Sequence, residues 1–391
     1  MIKEIIMRKG IWQEFDGYQD IAEEIKVSRR LGGTVSSVLA SAEEYIRQLH
    51  PERIELSVTD IIEETPSTKT LRLVSNANYL PPFLAGQYIA LFLEIGTIRT
   101  SRPYSISSQP NQTGFYDITV RRIENGLVSN YLLDEVKRGD TLVSSGPSGN
   151  FYFNPLIHKK TMVCIAGGSG ITPFMSMIRE IIECGLDRSV YLFYGNKTMD
   201  DIIFGAEVNR IAQRFDNIHY IPVVEEPSGG YAGACGFITR DLMKEVLENI
   251  EDKSFFICGP QGLYDFCLPQ VEVMGVPRRK IKQEMYGAPP NIWEYPGWPD
   301  TISKNDVFNV KVKNGQQIQA CAGEPLLTAL EKNDMVVPSL CRSGECSMCR
   351  VKILSGKVYQ PPGVPVRKSD RQFGYVHSCM AYPVEDLEIL L

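Results

Sequence analysis

The chain has 391 residues, of which 41 are Lys or Arg and 47 are Asp or Glu, giving a net charge of -6. This length is enough for two or three domains, and the acidic balance excludes nucleic acid as an expected partner. No apolar run reaches the roughly 18 residues that a membrane span needs, and Met1–Arg8 lacks the apolar core of a signal peptide, so the expected location is the cytoplasm. The 4 histidines show no metal-ligand spacing, so neither a histidine base nor a histidine-bound metal is expected.

Residues 1–52 are predicted to form a helical extension. Apolar residues recur at helical spacing between Val35 and Leu49, Thr34 suits the N-cap, and Pro51 ends the helix. Such a helix packs on the body of the protein or serves in docking or dimerisation. The sequence leaves both alternatives open.

Residues 53–157 have the pattern of an antiparallel β-barrel, because short strands alternate with turn residues. The predicted strands are Leu56–Ile62, Thr70–Val74, Tyr88–Leu93 and Tyr116–Arg122.

Three motifs in this region stand out, and two of them carry groups that suit a planar cofactor with phosphate groups. In Arg102-Pro-Tyr-Ser105, an arginine can neutralise a phosphate, an aromatic ring can stack on a planar ring, and a hydroxyl can bond a ring nitrogen. In Gly126-Leu-Val-Ser129, glycine permits close approach, and the start of a helix suits a pyrophosphate. Gly146-Pro-Ser-Gly149 is predicted to be a tight turn that closes the barrel.

Residues 158–286 have the pattern of a doubly wound α/β domain with a parallel sheet. Thr161–Ala166 is a continuous apolar strand, Gly167–Pro173 is a glycine turn, and a helix follows. This arrangement places a pyrophosphate at a helix N-terminus, and Pro173 suits the first helical turn. Further strands alternate with helices, so Gly167, Thr172 and Cys258 are expected at the carboxyl edge where such sheets bind ligands.

Residues 287–305 are rich in proline and aromatic residues and are predicted to form a semi-rigid linker that packs on a domain surface. Residues 306–391 are predicted to form a β-grasp domain, with a hairpin at Asn314-Gly315 and a helix over Pro325–Glu331. The predicted fold is therefore multidomain α/β plus β.

Four cysteines in the last region have the spacing of a plant-type [2Fe–2S] site, C-x4-C-x2-C with a fourth cysteine later in the chain. A loop of small residues lets backbone amides point at the sulfurs, and Gly344 suits the unusual backbone angle of such a loop. Zinc is the alternative, although zinc sites usually pair two knuckles and this chain has one C-x2-C. The proposed ligands are Cys341, Cys346, Cys349 and Cys379.

The motifs resemble the ferredoxin–NADP reductase superfamily in their order and spacing. The resemblance implies that Arg102 binds flavin phosphate, that Tyr104 stacks on the isoalloxazine, and that Ser105 lies near its N5 as a catalytic residue. It implies that the A-G-G-S-G-I-T-P turn binds the nucleotide pyrophosphate and that Cys258 is a catalytic packing residue beside the hydride path, not a nucleophile. The predicted cofactor-binding residues are Arg102, Pro103, Tyr104, Ser105, Gly126, Val128, Ser129, Gly168, Gly170, Thr172, Gly259 and Glu225.

Two details concern the choice of cofactor. The run Val128-Ser-Asn-Tyr-Leu resembles FAD-type members such as flavohaemoglobins, which favours FAD over FMN. Glu225-Glu226 stand where relatives specific for NADP carry a Ser-Arg pair, and a carboxylate repels a 2′-phosphate, which favours NADH over NADPH. Ser347 departs from the family, because many relatives have glycine after the second cysteine.

The order of flavin, nucleotide and [2Fe–2S] regions resembles reductases of the phthalate dioxygenase reductase type and the partners of phenylacetyl-CoA epoxidase and hybrid-cluster proteins. The resemblance implies electron transfer from NADH through flavin to the cluster and then to a protein acceptor, an oxygenase or another reductase component. The alternatives are an electron-transfer subunit of a larger complex, a self-sufficient reductase of a small acceptor, and a redox sensor.

Overall fold

The computed structural model describes residues 51–77, 79–313 and 315–391, together with Glu23, Lys26, 42–44 and Ile46. Contacts divide the chain into two units, Met1–Pro51 and Glu52–Leu391. The helix predicted between Val35 and Leu49, with its docking or dimerisation role, falls almost entirely outside the described residues and stays a prediction. The sheets of the described residues lie in the second unit. Within the same residues, none of the helices has the length and apolar character of a membrane span.

The first sheet, called the barrel sheet, contains six strands. They are β1 (Ile54–Thr65), β2 (Thr68–Ser75), β3 (Tyr88–Ile95), β4 (Ile98–Ser105), β5 (Tyr116–Arg121) and β6 (Thr141–Ser144). Their order is β4-β3-β6-β1-β2-β5 with antiparallel pairing throughout, and a bridge between Ile106 and Ile118 joins the two edges. Alternate residues of β1 and β2, such as Leu56, Leu71 and Leu73, fill the interior, as expected for strands with one buried face.

A short helical segment follows β5, where the sequence predicts a helix start. The helix α1 (Leu127–Asn130) continues directly into one π-helical turn, Tyr131–Glu135. Leu132 and Leu133 of that turn are buried in the barrel core and fix the segment against the sheet.

The second sheet is parallel, as predicted. It contains β7 (Thr161–Gly167), β8 (Ser189–Asn196), β9 (Ile218–Val224), β10 (Ala234–Cys235), β11 (Lys253–Gly259) and β12 (Ile281–Met285) in the order β10-β9-β8-β7-β11-β12. The order reverses between β7 and β11, so ligands are expected at the carboxyl ends of these two strands.

Four helices accompany the parallel sheet, namely α2 (Thr172–Cys184), α3 (Gly205–Arg214), α4 (Arg240–Val246) and α5 (Gln261–Val273). The β7 strand is apolar on both faces because each face belongs to a different core. Met162 and Cys164 belong to one buried cluster, and Val163 and Ile165 belong to another.

The third sheet, called the grasp sheet, contains β13 (Val307–Val312), β14 (Gln317–Cys321), β15 (Arg350–Ser355), β17 (Tyr375–His377) and β19 (Leu387–Leu390) in the order β14-β13-β19-β15-β17. The hairpin and the helix α6 (Leu326–Lys332) confirm the prediction, although Asn314 at the hairpin lies outside the described residues. A two-stranded sheet of β16 (Val358–Tyr359) and β18 (Tyr382–Pro383) and the helix α7 (Lys368–Gln372) complete this region.

The linker packs on the grasp region, as its aromatic residues predict. The Trp298 ring lies 5.2 Å from the Tyr359 ring and 6.4 Å from the Tyr382 ring. The Trp298 indole donates to the carbonyl of Ile302, and the Tyr359 hydroxyl donates to the carbonyl of Pro296, both at 2.9 Å. These contacts hold the linker against one surface.

Candidate functional site

A cavity of about 540 Å³ opens in front of the Arg102-Pro-Tyr-Ser105 motif. Its volume lies in the range of small-molecule and cofactor sites. The strand β4, the segment around α1, the start of α2, the end of the parallel sheet and the cysteine region all contribute to its walls. Predicted site residues lining it are Arg102, Pro103, Tyr104, Ser105, Gly126, Val128, Ser129, Thr172 and Cys379.

Arg102 lies at the wall of this cavity next to a second arginine, Arg342. Its Nη1 donates to the hydroxyl of Thr100 at 2.6 Å and to the carbonyl of Ser101 at 2.7 Å. Burial, together with the neighbouring Arg342 guanidinium, lowers the pKa of Arg102 to about 10. A half-buried guanidinium that hydrogen-bonds only neutral acceptors is suited to an anionic ligand.

Tyr104 and Ser105 present a ring and a hydroxyl to the same cavity. Burial raises the pKa of Tyr104, so its phenol stays neutral. Ser105 donates to a carboxyl oxygen of Glu284 at 3.3 Å, and its hydroxyl lies 3.1 Å from that of Tyr286.

The turn before α1 requires glycine at position 126. A Cβ on Gly126 would lie 2.5 Å from the Ser129 hydroxyl and 3.0 Å from the carbonyl of Ile123. The backbone amide of Ile123 donates to the Ser129 hydroxyl at 3.1 Å, which fixes this hydroxyl beside the cavity.

The glycine turn after β7 packs tightly against the end of β11. A Cβ on Gly170 would lie 2.0 Å from the Cys258 carbonyl oxygen, and Gly168 has a φ of +51°. Gly259 is similarly restricted, because its Cβ would lie 2.7 Å from Leu263. The turn is therefore shaped for close approach of a ligand to the backbone.

Cys258 is fully buried next to this turn. Burial raises the pKa of its thiol well above the ordinary value and outweighs the opposite effect of the neighbouring Tyr286 and Tyr264. A neutral, buried thiol is not a nucleophile.

Glu284 and Tyr286 were not identified from the sequence, although they join the predicted residues. Glu284 is the fourth residue of β12, and burial raises the pKa of its carboxyl group to about 8. The Tyr286 hydroxyl lies 3.1 Å from both the Ser105 and the Thr172 hydroxyls, so it stands between the flavin motif and the glycine turn. Their position could have identified them, because β12 pairs with β11 and ends at the same carboxyl edge of the sheet.

Glu225 is exposed just after β9, two strands away from β7 along the carboxyl edge of the parallel sheet. Its backbone amide donates to the carbonyl of Asn196 at 3.0 Å. The neighbouring Glu226 pairs with Lys197 at 3.6 Å. Glu225 therefore shares an edge with the glycine turn but does not line the cavity.

The four predicted ligands approach each other as two pairs of thiols. Cys346 lies beside Cys341, and Cys379 lies beside Cys349. The neighbouring cysteine, followed by backbone amides, lowers the pKa of Cys341 and of Cys349. Among the described residues, no three metal-ligating side chains converge on one point.

This arrangement fits a [2Fe–2S] cluster, whose two irons each take two thiolates, better than a single zinc ion. The Cys346 amide donates to the Cys341 sulfur at 3.3 Å, which confirms that loop amides point at the sulfurs. Gly344 has a φ of +82°, as predicted, and Arg342 and Ser347 also have positive φ angles.

Three family models match successive parts of the chain. The oxidoreductase FAD-binding domain matches residues 55–153, the oxidoreductase NAD-binding domain matches residues 164–268, and the 2Fe-2S iron-sulfur cluster binding domain matches residues 310–384. The chain is 30% identical to the NADH oxidoreductase HCR of Escherichia coli (strain K12) over 332 residues, covering 85% of this chain and 96% of the relative. The chain belongs to this family of flavin and [2Fe–2S] reductases.

Other relatives are similar over nearly the same length. The reductase is 27% identical to a glycine betaine monooxygenase reductase subunit of Chromohalobacter salexigens over 342 residues, covering 84% of the reductase and 93% of the relative. Its fold is similar to that of phthalate dioxygenase reductase, with a TM-score of 0.64 at 23% identity, over 87% of the reductase and 97% of that chain. The reductase uses FAD, NADH and a [2Fe–2S] cluster, and it transfers electrons between them.

The flavin and ferredoxin domains of the reductase meet at a buried, hydrogen-bonded interface. Arg342, next to Cys341, donates to both carboxyl oxygens of Glu331 at 2.7 and 2.8 Å. Thr100 of β4 donates to the same carboxylate at 3.0 Å, and the Ser101 hydroxyl lies 2.8 Å from that of Ser339. These contacts fix the cysteine loop against the strand that carries the flavin motif.

Proposed function

We propose that electrons cross the cavity between the Arg102-Pro-Tyr-Ser105 motif and Cys379. The observation that carries this proposal is that the flavin motif and a cluster cysteine line the same cavity. A flavin held by the Arg102-Pro-Tyr-Ser105 and Gly126–Ser129 motifs would supply the exchange between two-electron and one-electron transfer that NADH and a one-electron cluster require. The protein supplies binding and orientation, and no described group is needed as a general base.

In this proposal the barrel residues hold the flavin. Arg102 binds its phosphate, Tyr104 packs on its ring system, and the Ser105 hydroxyl bonds a ring nitrogen. The turn at Gly126, Val128 and Ser129 holds the pyrophosphate. The Ser105 hydroxyl contacts Glu284 and Tyr286, and these contacts restrict the direction of its O–H bond. This supports the proposal that Ser105 orients the flavin ring.

The turn after β7 binds NADH in the same proposal. Gly168, Gly170 and Thr172 approach its pyrophosphate, and Gly259 borders the nicotinamide with Cys258 packed behind. The close approach of Gly170 to the Cys258 carbonyl supports this role. Glu225 accepts hydrogen bonds from ribose hydroxyls and repels a 2′-phosphate, so NADH is preferred to NADPH.

The four paired cysteines hold the cluster, and the acceptor is proposed to be a protein. Met348 of the cysteine loop is exposed, so an acceptor can approach the loop there, while Cys379 lines the cavity. Several relatives are named as reductase components of monooxygenases and dioxygenases, which supports an oxygenase or a similar redox enzyme as the acceptor. Because NADH is supplied inside the cell, we place the reaction in the cytoplasm.

Two acceptors test this route. Ferricyanide can take electrons from reduced flavin, whereas cytochrome c represents a protein acceptor that takes them from the cluster. Cys346→Ala should lower the ratio of cytochrome c reduction to ferricyanide reduction by at least about tenfold, because one cluster ligand is lost. Cys235→Ala, at an exposed cysteine outside the site, is the control. An unchanged ratio in Cys346→Ala would show that electrons leave from the flavin, as in a self-sufficient reductase of small acceptors.

A further inference from the structure

Three charged side chains meet between the flavin and ferredoxin domains, where Glu331 and Arg342 are buried and Arg102 is half-buried. Arg102 belongs to the flavin motif, and Glu331 and Arg342 belong to the ferredoxin domain. The Arg342–Glu331 ion pair is bidentate, and the two side chains are only 8% and 6% exposed. Arg102 and Arg342 share acceptors, since both donate to the Thr100 hydroxyl and the Ser101 carbonyl.

The three groups do not balance in charge. Two guanidinium groups face one carboxylate, and in the described part of the chain no other carboxylate hydrogen-bonds either arginine. Both carboxyl oxygens of Glu331 already accept hydrogen bonds from Arg342, and one of them also accepts from Thr100. The excess positive charge is therefore held in a half-buried position at the cavity wall, where a bound anion would stabilise it.

Both arginines line the cavity of about 540 Å³. Arg102 uses one nitrogen, Nη1, for its two neutral acceptors, which leaves its other donors available to a ligand. Arg342 is held in place by Glu331 and adds its charge to the same wall. An anion at Arg102 would thus be stabilised by a residue from the other domain.

We propose that Arg342 is a second cationic residue of the flavin phosphate site, so that the ferredoxin domain takes part in flavin binding. The proposal rests on the proposed role of Arg102 as a phosphate ligand. It follows that flavin binding and the docking of the ferredoxin domain stabilise each other, because both depend on the same three charges.

Removing the positive and the negative partner should have opposite effects. In Arg342→Gln, the Glu331 carboxylate is left with Arg102 as its nearest cation and competes with the flavin phosphate. In Glu331→Gln, both arginines remain and the positive charge at the cavity increases. A purely structural ion pair predicts the same direction for both variants, since each leaves one buried charge unpaired.

The test measures the dissociation constant of FAD by fluorescence quenching, using flavin-free protein whose cluster is intact by its visible spectrum. We expect Arg342→Gln to raise the dissociation constant about tenfold or more, and Glu331→Gln to leave it unchanged or lower it. The double variant should recover part of the loss. Arg99→Gln removes an exposed ion pair with Asp334 at the same interface and should change the constant less than about twofold.

A comparison of FAD with riboflavin distinguishes an effect on phosphate binding from an effect on binding of the ring system. Because riboflavin lacks a phosphate, its dissociation constant should be the same in the wild type and in Arg342→Gln. If Arg342→Gln weakened the binding of FAD and of riboflavin equally, the proposal would be overturned. Weaker binding of FAD by Glu331→Gln would also overturn it. If Arg342→Gln does not assemble its cluster, the result for Glu331→Gln decides.

Arg102→Gln distinguishes this inference from the proposed function. Weak FAD binding in Arg102→Gln with normal binding in Arg342→Gln would overturn the role of Arg342 alone. Normal FAD binding in Arg102→Gln would contradict the phosphate site itself.

Discussion

Glu284 places an ionisable carboxyl group directly behind Ser105. The Ser105 hydroxyl donates to it, the Tyr264 hydroxyl donates to its backbone carbonyl, and Glu345 of the cysteine loop adds a like charge nearby. Burial is the largest cause of its raised pKa, followed by Glu345. The carboxyl group is therefore largely protonated at neutral pH and can donate a hydrogen bond within the cavity wall.

The raised pKa of Glu284 predicts a pH-dependent stability. The pKa is about 8 in the folded protein against an ordinary value of 4.5, so between these values the folded state keeps a proton that the unfolded chain has lost. This group therefore lowers the free energy of unfolding by about 1.4 kcal/mol per pH unit as pH rises through that window. Glu284→Gln lacks this effect.

The measurement is the Tm of both proteins without flavin but with the cluster, at about pH 6 and about pH 8. Glu284→Gln should gain stability relative to the wild type at the higher pH. The titratable neighbours Cys258, Tyr286 and Glu345 are the same in both proteins, so they cancel in the comparison. An equal Tm difference at both pH values would show that Glu284 is ionised throughout.

Ser347 has a φ of +58°, a conformation that side chains other than glycine rarely adopt. Ser347→Gly should therefore raise the free energy of unfolding by about 0.5–1 kcal/mol, because glycine takes this conformation without strain. Ser343 is the matched control, since it lies in the same loop without a positive φ and lowers the pKa of the neighbouring Cys341. Ser343→Gly should lower the temperature at which the cluster is lost, and Ser347→Gly should raise it. A lower temperature for Ser347→Gly would mean that the serine hydroxyl matters more than the backbone strain.

In the proposed function, NADH binding depends on the glycine turn and the start of α2. A Cβ at position 170 would meet the Cys258 backbone at 2.0 and 2.4 Å, and backbone atoms cannot move aside as a side chain can. Gly170→Ala should separate the turn from β11, costing about 1–3 kcal/mol of stability and weakening NADH binding. Gly262→Ala, at a helical glycine with open space around it, is the control and should keep both properties. A Gly170→Ala protein that binds NADH normally would contradict the assignment of this turn.

Elements with a clear hydrophobic pattern were predicted correctly, because their structure depends on residues that are close in the sequence. β7 is a continuous apolar run with a core on each face, and the helix after it starts where Pro173 is favourable. The strand β4 was not predicted, because it is polar and contains Pro103. It forms all the same at the edge of the barrel sheet, where β3 is its one neighbour in the sheet order and a missing amide is tolerated.

Residues that become important through tertiary contacts were not predictable. Glu284 lies in the polar run Lys282-Gln-Glu284, which has the pattern of a half-exposed strand. Its burial arises only when the barrel places Ser105 beside it and the cysteine loop places Glu345 nearby. Glu331 and Arg342 likewise have the pattern of surface charges, and only the meeting of two domains buries them.

At the scale of the whole molecule, one cavity is built from parts that lie far apart in sequence. Arg102, Thr172 and Cys379 come from the barrel, the parallel sheet region and the cysteine region, and all three line it. The linker packing around Trp298 and the buried pair at Arg342 hold these parts together. The arrangement predicts that electrons reach the cluster within one chain and without a large movement of the ferredoxin domain.

The most direct test is an anaerobic titration of the purified protein with NADH and, separately, with NADPH, followed by visible absorbance. NADH should bleach the flavin bands and also the cluster bands, and NADPH should be much less effective because of Glu225. Bleaching of the flavin alone would contradict transfer across the cavity and would favour a simple flavin reductase. A reconstituted protein with no visible chromophore would contradict the assignment of both cofactor sites.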